Sequence, residues 1–176
     1  MIMAPHLRKL VLAAHVTCSV GSLGAVAGFL ALAVAGLTGR DAEVVRAAYI
    51  AMELTARFVI VPLVFASLMS GLVQALGTSW GLFRHYWVLA KLLLTVIVAI
   101  VLLLQMELIS YVAGVAAEDT LSSADLRGPR SSLVVHAAVG LLVLLVPVAL
   151  SIYKPRGMTR YGWRKQQAMV SAARAP

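Results

Sequence analysis

Long apolar runs separated by short polar segments dominate this chain. Four runs, at about residues 10–38, 47–76, 87–113 and 132–153, contain the roughly 20 apolar residues that a helix needs to cross a hydrocarbon core about 30 Å thick. The runs are continuous and lack the alternation that is typical of membrane barrel strands. The pattern therefore predicts an all-α integral membrane protein with four transmembrane helices, because a helix pairs its own backbone groups inside lipid.

The connections between these runs are short, which favours an antiparallel up-down arrangement. The predicted four-helix bundle spans residues 1–153 and leaves a basic tail at residues 154–176. In the first run Gly24 and Gly28 form a GxxxG step, at which we expect close packing against another helix of the bundle.

The distribution of charged residues predicts the orientation of the bundle. Cations flank the helix ends on one predicted side, at Arg8, Lys9, Arg84, Lys154, Arg156, Arg160, Arg164, Lys165 and Arg174. Carboxylates fall in the connections on the other side, at Asp41, Glu43, Glu118, Asp119 and Asp125, together with four arginines. Because short cytoplasmic segments carry an excess of lysine and arginine, we expect both termini, and the tail, to be cytoplasmic (N-in/C-in).

Composition supports a lipid environment and argues against other partners. Hydrophobic residues make up 61% of the chain, and 15 lysines and arginines against 7 aspartates and glutamates give a net charge of +8. Because most of this excess lies next to helix ends, we expect it to neutralise lipid headgroups, and we expect no nucleic-acid partner. The sequence contains neither a phosphate-binding loop nor a zinc-type cysteine cluster.

Polar residues inside the apolar runs mostly share one face of each helix when the runs are projected at about 100° per residue. The four sets are His15, Cys18, Ser19 and Ser22; Glu53, Arg57, Ser67, Gly71 and Gln74; Lys91, Thr95 and Gln105; and His136, Gly140 and Pro147. A polar group that faces lipid costs several kcal/mol, so these faces are predicted to point toward one another. The bundle should therefore have a polar interior.

Position along the helices divides this interior into two levels. His15 follows Lys9 by about 9 Å of helix, which places it near the cytoplasmic side, at the level of Lys91. His136 starts from the opposite side and belongs with Glu53 and Arg57. We therefore expect His15 and His136 to act at two levels and not to bind one iron atom from opposite faces.

His15 and His136 are the candidate metal ligands. A neutral imidazole is a common axial ligand of haem iron, and a helical bundle can hold a porphyrin in its core. The alternative is a neutral histidine that hydrogen-bonds across helices. Gly140, one turn after His136 on the same face, would leave room for a flat macrocycle.

Other polar residues also allow two interpretations. Glu53 and Arg57 are four residues apart and are either an intrahelical ion pair or part of a functional site. Lys91 either extends to the lipid headgroups or takes part in chemistry. His85 is either an ordinary surface residue or, like the methionines Met52 and Met106, a candidate second ligand.

Several segments resemble a group of small bacterial membrane proteins that includes HemJ-type protoporphyrinogen oxidases, CopD-type copper-resistance domains and uncharacterised four-helix integral membrane proteins. The resemblance lies in His15, in Arg57 five residues before Pro62, in "SGL" at residues 70–72, and in "YWVLAKLLL" with Lys91, and it covers about the first three helices. It implies haem b, electron transfer toward a respiratory chain and a bacterial inner membrane, with His15, Arg57 and Lys91 carried over. The group's tryptophan-leucine-histidine-x-lysine pattern has Leu89 in place of its histidine, so the uncharacterised relatives are the closer fit.

Taken together, these features favour a haem-b-binding membrane redox protein, a candidate oxidoreductase that exchanges electrons with quinone. His15 and His136 would be axial ligands, with His85, Met52 or Met106 as second ligands, and Arg57 and Lys91 would neutralise propionates or a quinone oxygen. Two alternatives are a copper or small-solute transporter and a structural subunit of a larger membrane complex or homo-oligomer.

Overall fold

The computed structural model describes residues 3–77, 82–118, 126–153 and 157–174, most of which are helical. The helices are α1 (Pro5–Thr38), α2 (Ala42–Gly77), α3 (Tyr86–Ala117), α4 (Arg127–Tyr153) and α5 (Arg160–Arg174). The first four are long and apolar enough to cross a membrane. The predicted all-α class is therefore confirmed. Asp119, Asp125, Lys154 and Arg156 lie outside the described residues.

The four long helices form a closed square in which each packs against its neighbours in chain order, and α4 packs against α1. The backbone N–H of Met3 donates to the carbonyl of Gly77 at 3.1 Å, which joins the start of α1 to the end of α2. His85, before α3, forms a backbone bridge with Met158, between α4 and α5. The start of α1 and the segment that leads into α5 therefore lie at one end of the bundle, which we call the tail end.

Three helices begin earlier than the apolar pattern predicts, and one of them is α2, which starts at Ala42. α1 starts at Pro5, and the first turn of α4, from Arg127, includes Gly128 and Pro129. Proline is well suited to a first turn, because its missing N–H would have no helical partner there. At the start of α2 the carboxylate of Asp41 caps the helix by accepting a 2.9 Å hydrogen bond from the N–H of Glu43.

The middle of α2 contains a π-helical turn at Ala56–Ile60. Pro62 supplies a physical reason, because it has no N–H to offer the carbonyl of Phe58 and its ring would crowd that carbonyl in a regular helix. The N–H of Val61 instead donates to the carbonyl of Ala56, five residues back. The turn therefore accommodates one extra residue, which rotates the second half of α2 by about 100° relative to a straight helix.

This rotation overturns the prediction that the polar residues of α2 share one face. Glu53 and Arg57 contact Ser110 of α3, whereas Ser67 contacts α1 and Gly71 packs against α1. The projection at about 100° per residue assumes a regular helix, and it failed because the π turn lies between Glu53 and Ser67.

Close packing is concentrated toward the end opposite the tail. There Tyr49, Met52 and Val112 are almost completely buried in one apolar cluster. The ring of Tyr49 rests on Gly36, where a Cβ atom would lie 2.6 Å from its Cζ atom. Within the described chain, a Cβ atom at Gly24 or Gly28 would meet no atom within 4 Å, so the expected close approach at that GxxxG step is wrong.

Candidate functional site

A cavity of about 470 Å³ opens between the four long helices in the tail half of the bundle. This volume falls within the usual range for small-molecule and cofactor sites, about 300–1,000 Å³. Its polar lining consists of Arg8, His15, Ser19, Ser22, Ser67, Gln74, Lys91, Thr95 and Ser151. Among the described residues that line it there is no aspartate or glutamate. The cavity therefore combines polar groups with a positive charge.

His15 is half-buried in the wall of this cavity, with one ring nitrogen fixed by α2. Its Nδ1 atom lies 3.0 Å from the carbonyl oxygen of Ser67 and 3.2 Å from the Oγ atom of Ser70. A carbonyl oxygen can only accept, so Nδ1 carries the proton and donates it to Ser67. In the neutral ring Nε2 then holds a lone pair, and it forms no hydrogen bond with any described residue.

Gly71 provides the space that the imidazole ring occupies. A Cβ atom at this position would lie 2.9 Å from Cε1 and 3.3 Å from Nδ1 of His15, closer than such atoms normally approach. Glycine therefore allows the ring to lie against the backbone of α2 and to reach the Ser67 carbonyl.

A short chain of hydroxyl groups continues the polar wall beyond His15. The Oγ atoms of Ser19 and Ser67 lie 2.7 Å apart, and Ser22 donates a 2.9 Å hydrogen bond to the carbonyl of Ser19. Ser22 and Ser67 are both buried, so their hydroxyl groups need hydrogen-bond partners within the protein, and these bonds provide them. The hydroxyl chain joins α1 to α2 along the cavity.

The opposite wall positions the ammonium group of Lys91. Its Nζ atom donates to the Oγ atom of Ser151 at 2.9 Å and lies 4.9 Å from the centre of the Trp87 ring, within the range of a cation–π contact. Ser151 in turn donates to the carbonyl of Pro147 at 2.7 Å. Lys91 thus contacts Trp87 on its own helix, α3, and Ser151 on α4 at the tail end of the cavity.

His136 lies at a second, separate feature. It is exposed and lines an almost wholly apolar groove of about 180 Å³, together with Gln105 of α3 and Gly140. Val64 and Leu144 line both this groove and the polar cavity, so they separate the two. The structure therefore brings His15 and Lys91 together and places His136 elsewhere.

The ring of His136 is held in the same manner as that of His15. Its Nδ1 atom lies 2.8 Å from the carbonyl oxygen of Ser132, one turn earlier in α4, and 3.1 Å from the Oγ atom of the same serine. Nδ1 therefore donates to that carbonyl, and Nε2 again forms no hydrogen bond with any described residue.

Arg57 and His85 lie away from both features. Arg57 forms a 3.3 Å ion pair with Glu53, and Ser110 donates a 2.8 Å hydrogen bond to the same carboxylate oxygen of Glu53. The side chain of Arg57 is 56% exposed, which places the ion pair on the outer surface of the bundle. His85 immediately precedes α3, with its ring centre 6.1 Å from that of Trp87.

Three residues of the site had no role assigned to them from the sequence, although Ser70 belongs to the "SGL" segment of the resemblance. Arg8 served only as an orientation signal, and the interest of Ser70 and Ser151 depends on contacts between distant helices. Pro62 signals the irregular turn that rotates Ser67 and Ser70 toward α1, but it carries no information about Arg8 or Ser151.

Comparison of the chain with protein families, with curated proteins and with solved structures finds no match. The chemistry of the site therefore has to be inferred from its own residues.

Proposed function

We propose that the chain is a haem-b-binding membrane redox protein with His15 as an axial ligand of the iron. The observation that carries this proposal is the bond from Nδ1 of His15 to the Ser67 carbonyl beside a large cavity. Histidines that bind metal commonly donate their other N–H to a carbonyl or carboxylate, which fixes the ring and raises the basicity of the free nitrogen. Nε2 of His15 meets this description.

The remaining features of the cavity are compatible with a porphyrin. Its volume lies within the usual range for cofactor sites, and Gly71 has no side chain that would compete with the ring of His15 for the space against α2. When bound, haem supplies one-electron chemistry, while the protein supplies binding, orientation and electrostatics. His136 would be the ligand at a second level, with its own carbonyl partner. Electron exchange with a membrane quinone is part of the same proposal.

Insertion in a bilayer with both termini cytoplasmic is also part of this proposal. It is supported by four long apolar helices and by the excess of arginine and lysine at the tail end, which would face the cytoplasm of a bacterial inner membrane.

The alternative of copper handling receives less support from the described residues. They contain no group of three or more His, Cys, Asp or Glu side chains that could hold a metal ion. Met52, a candidate soft ligand, is completely buried in the apolar cluster. The haem proposal needs only one or two imidazoles, which the chain provides.

A reduced-minus-oxidised absorbance spectrum of the protein, purified in mild detergent, tests the proposal. We expect bands of haem b in the wild type and in a His6→Ala control, because His6 is exposed, and we expect them to be strongly reduced in His15→Ala. A colourless wild-type protein that stays colourless after haem is supplied would overturn the proposal.

A further inference from the structure

The polar cavity changes in character along its length. Arg8 and Lys91 bring positive charge to its tail end, whereas Val64 and Leu144 close its inner end with hydrocarbon. His15 lies between, seven residues or roughly 10 Å of helix beyond Arg8. A ligand that matches this gradient has an anionic group at one end and an apolar body.

The ammonium group of Lys91 is positioned before any ligand arrives. Its contacts with the face of Trp87 and with Ser151 restrict a side chain that would otherwise sample many rotamers. A pre-positioned cation loses less entropy when it binds an anion, and the bond that it makes is charge-assisted and short. The described lining offers no carboxylate that would repel such a ligand.

We propose that the cavity selects ligands that carry a carboxylate group, and that Lys91 and Arg8 bind this group at the tail end. The identification of this ligand as a porphyrin rests on the function proposed above. The charge preference itself rests on the cations of the cavity and not on the iron ligand. The two ideas therefore make separate predictions.

Four probes separate carboxylate recognition from iron ligation. These are haemin, iron-free protoporphyrin IX, and the dimethyl ester of each, which lacks free carboxylates. Binding to the detergent-purified protein, freed of bound pigment, is followed by quenching of tryptophan fluorescence. For each probe, the affinity of a variant is compared with the affinity of the wild type for that same probe, because the esters partition more strongly into detergent.

Lys91→Gln and Arg8→Gln should each weaken both free diacids about tenfold, since each loses a charge-assisted contact, and should leave both esters unchanged. Lys9→Gln is the matched control, because it removes a neighbouring exposed charge that is not part of the cavity lining. His15→Ala should weaken haemin but not iron-free protoporphyrin.

Two outcomes would overturn the carboxylate proposal: equal loss for diacids and esters in the Lys91 and Arg8 variants, or no loss in either variant. If His15→Ala leaves haemin binding unchanged while the charge variants act as expected, the haem-ligand proposal fails and the carboxylate proposal stands. Because Arg8 is exposed at the start of α1, its variant tests the idea even if Lys91→Gln disturbs folding.

Discussion

Gly71 is the residue whose substitution most specifically tests the geometry around His15. A Gly71→Ala substitution would place a Cβ atom 2.9 Å from Cε1 of the imidazole and displace the ring from the Ser67 carbonyl. Loss of such a supporting contact commonly lowers metal affinity about 10-fold to 100-fold, so we expect haem affinity to fall by at least about tenfold. Titration of the haem-free protein with haemin measures this change.

The control is Gly24→Ala, where the added methyl group would meet no described atom within 4 Å. Both substitutions raise helix propensity by about 1 kcal/mol, so neither should weaken the helices themselves. Equal haem affinity in the two variants would show that the space at Gly71 is irrelevant to the ligand.

Some of these residue relationships are predictable from sequence and others are not. Counting the helical rise from Lys9 placed His15 and Lys91 at one level, and the structure puts both in the same cavity. The roles of Gly71 and Ser70 depend on the side on which α2 meets α1. No local pattern encodes that side.

At the scale of elements, the π turn of α2 decides which residues face the cavity. If it holds one extra residue, deletion of exposed Val59 together with Pro62→Ala should restore a regular helix and keep both Ser67 and Glu53 on their present faces. We expect this variant to retain cooperative thermal unfolding in detergent and the affinity of the wild type for haemin.

Deletion of exposed Phe65 with Pro62 retained is the control, because the proline keeps the π turn in place. Phe65 lies in regular helix, so its loss should rotate Ser67 and Gly71 by about 100° and disrupt their contacts with α1. The interpretation of the turn as an insertion would be wrong if the Val59 deletion were as damaging as the Phe65 deletion.

The attachment of α5 to the bundle gives a second prediction at this scale. The hydroxyl of Thr159 donates to the carbonyl of Phe83 and accepts a 3.0 Å hydrogen bond from the N–H of Gly162, which caps α5. Thr159→Ala should cost about 1 kcal/mol of helix stability and speed tryptic cleavage after Arg160 and Arg164. Thr159→Ser keeps the hydroxyl and should cleave at the wild-type rate, and equal rates in both variants would contradict this role.

The sequence predicts elements better than it predicts their irregularities. Continuous apolar runs indicate the four long helices, because a helix pairs its backbone groups within its own segment. The start of α4 at Arg127 escaped prediction because Gly128 and Pro129 usually indicate a loop. Proline at Pro62 signals an irregular turn, but packing determines which faces the two halves of α2 present.

At the scale of the whole molecule, the bundle has a closely packed half and a half with a polar cavity. The apolar cluster around Tyr49 and Met52 closes the end opposite the tail, while the cavity with Arg8 and Lys91 lies toward the tail. A ligand would therefore enter from the tail end, which is the cytoplasmic side in the proposed orientation.

This orientation predicts the labelling of single cysteines. In a Cys18→Ser background, Arg40→Cys between α1 and α2 should react with a membrane-impermeant maleimide in intact cells, whereas Gly157→Cys should react only after the membrane is opened. The physical reason is the excess of cations at the tail end, which favours retention in the cytoplasm. The reverse pattern of labelling would contradict the proposed orientation.

The most direct test of the central claim replaces the His15 side chain with free imidazole. His15→Gly leaves a space beside Gly71. Haem is supplied to this variant, and its reduced-minus-oxidised spectrum is recorded in the absence and in the presence of imidazole. The account predicts that His15→Gly loses the haem b bands that depend on the His15 ligand, and that these bands return when imidazole is added. A His15→Gly protein with an unchanged wild-type spectrum would show that the iron is bound elsewhere.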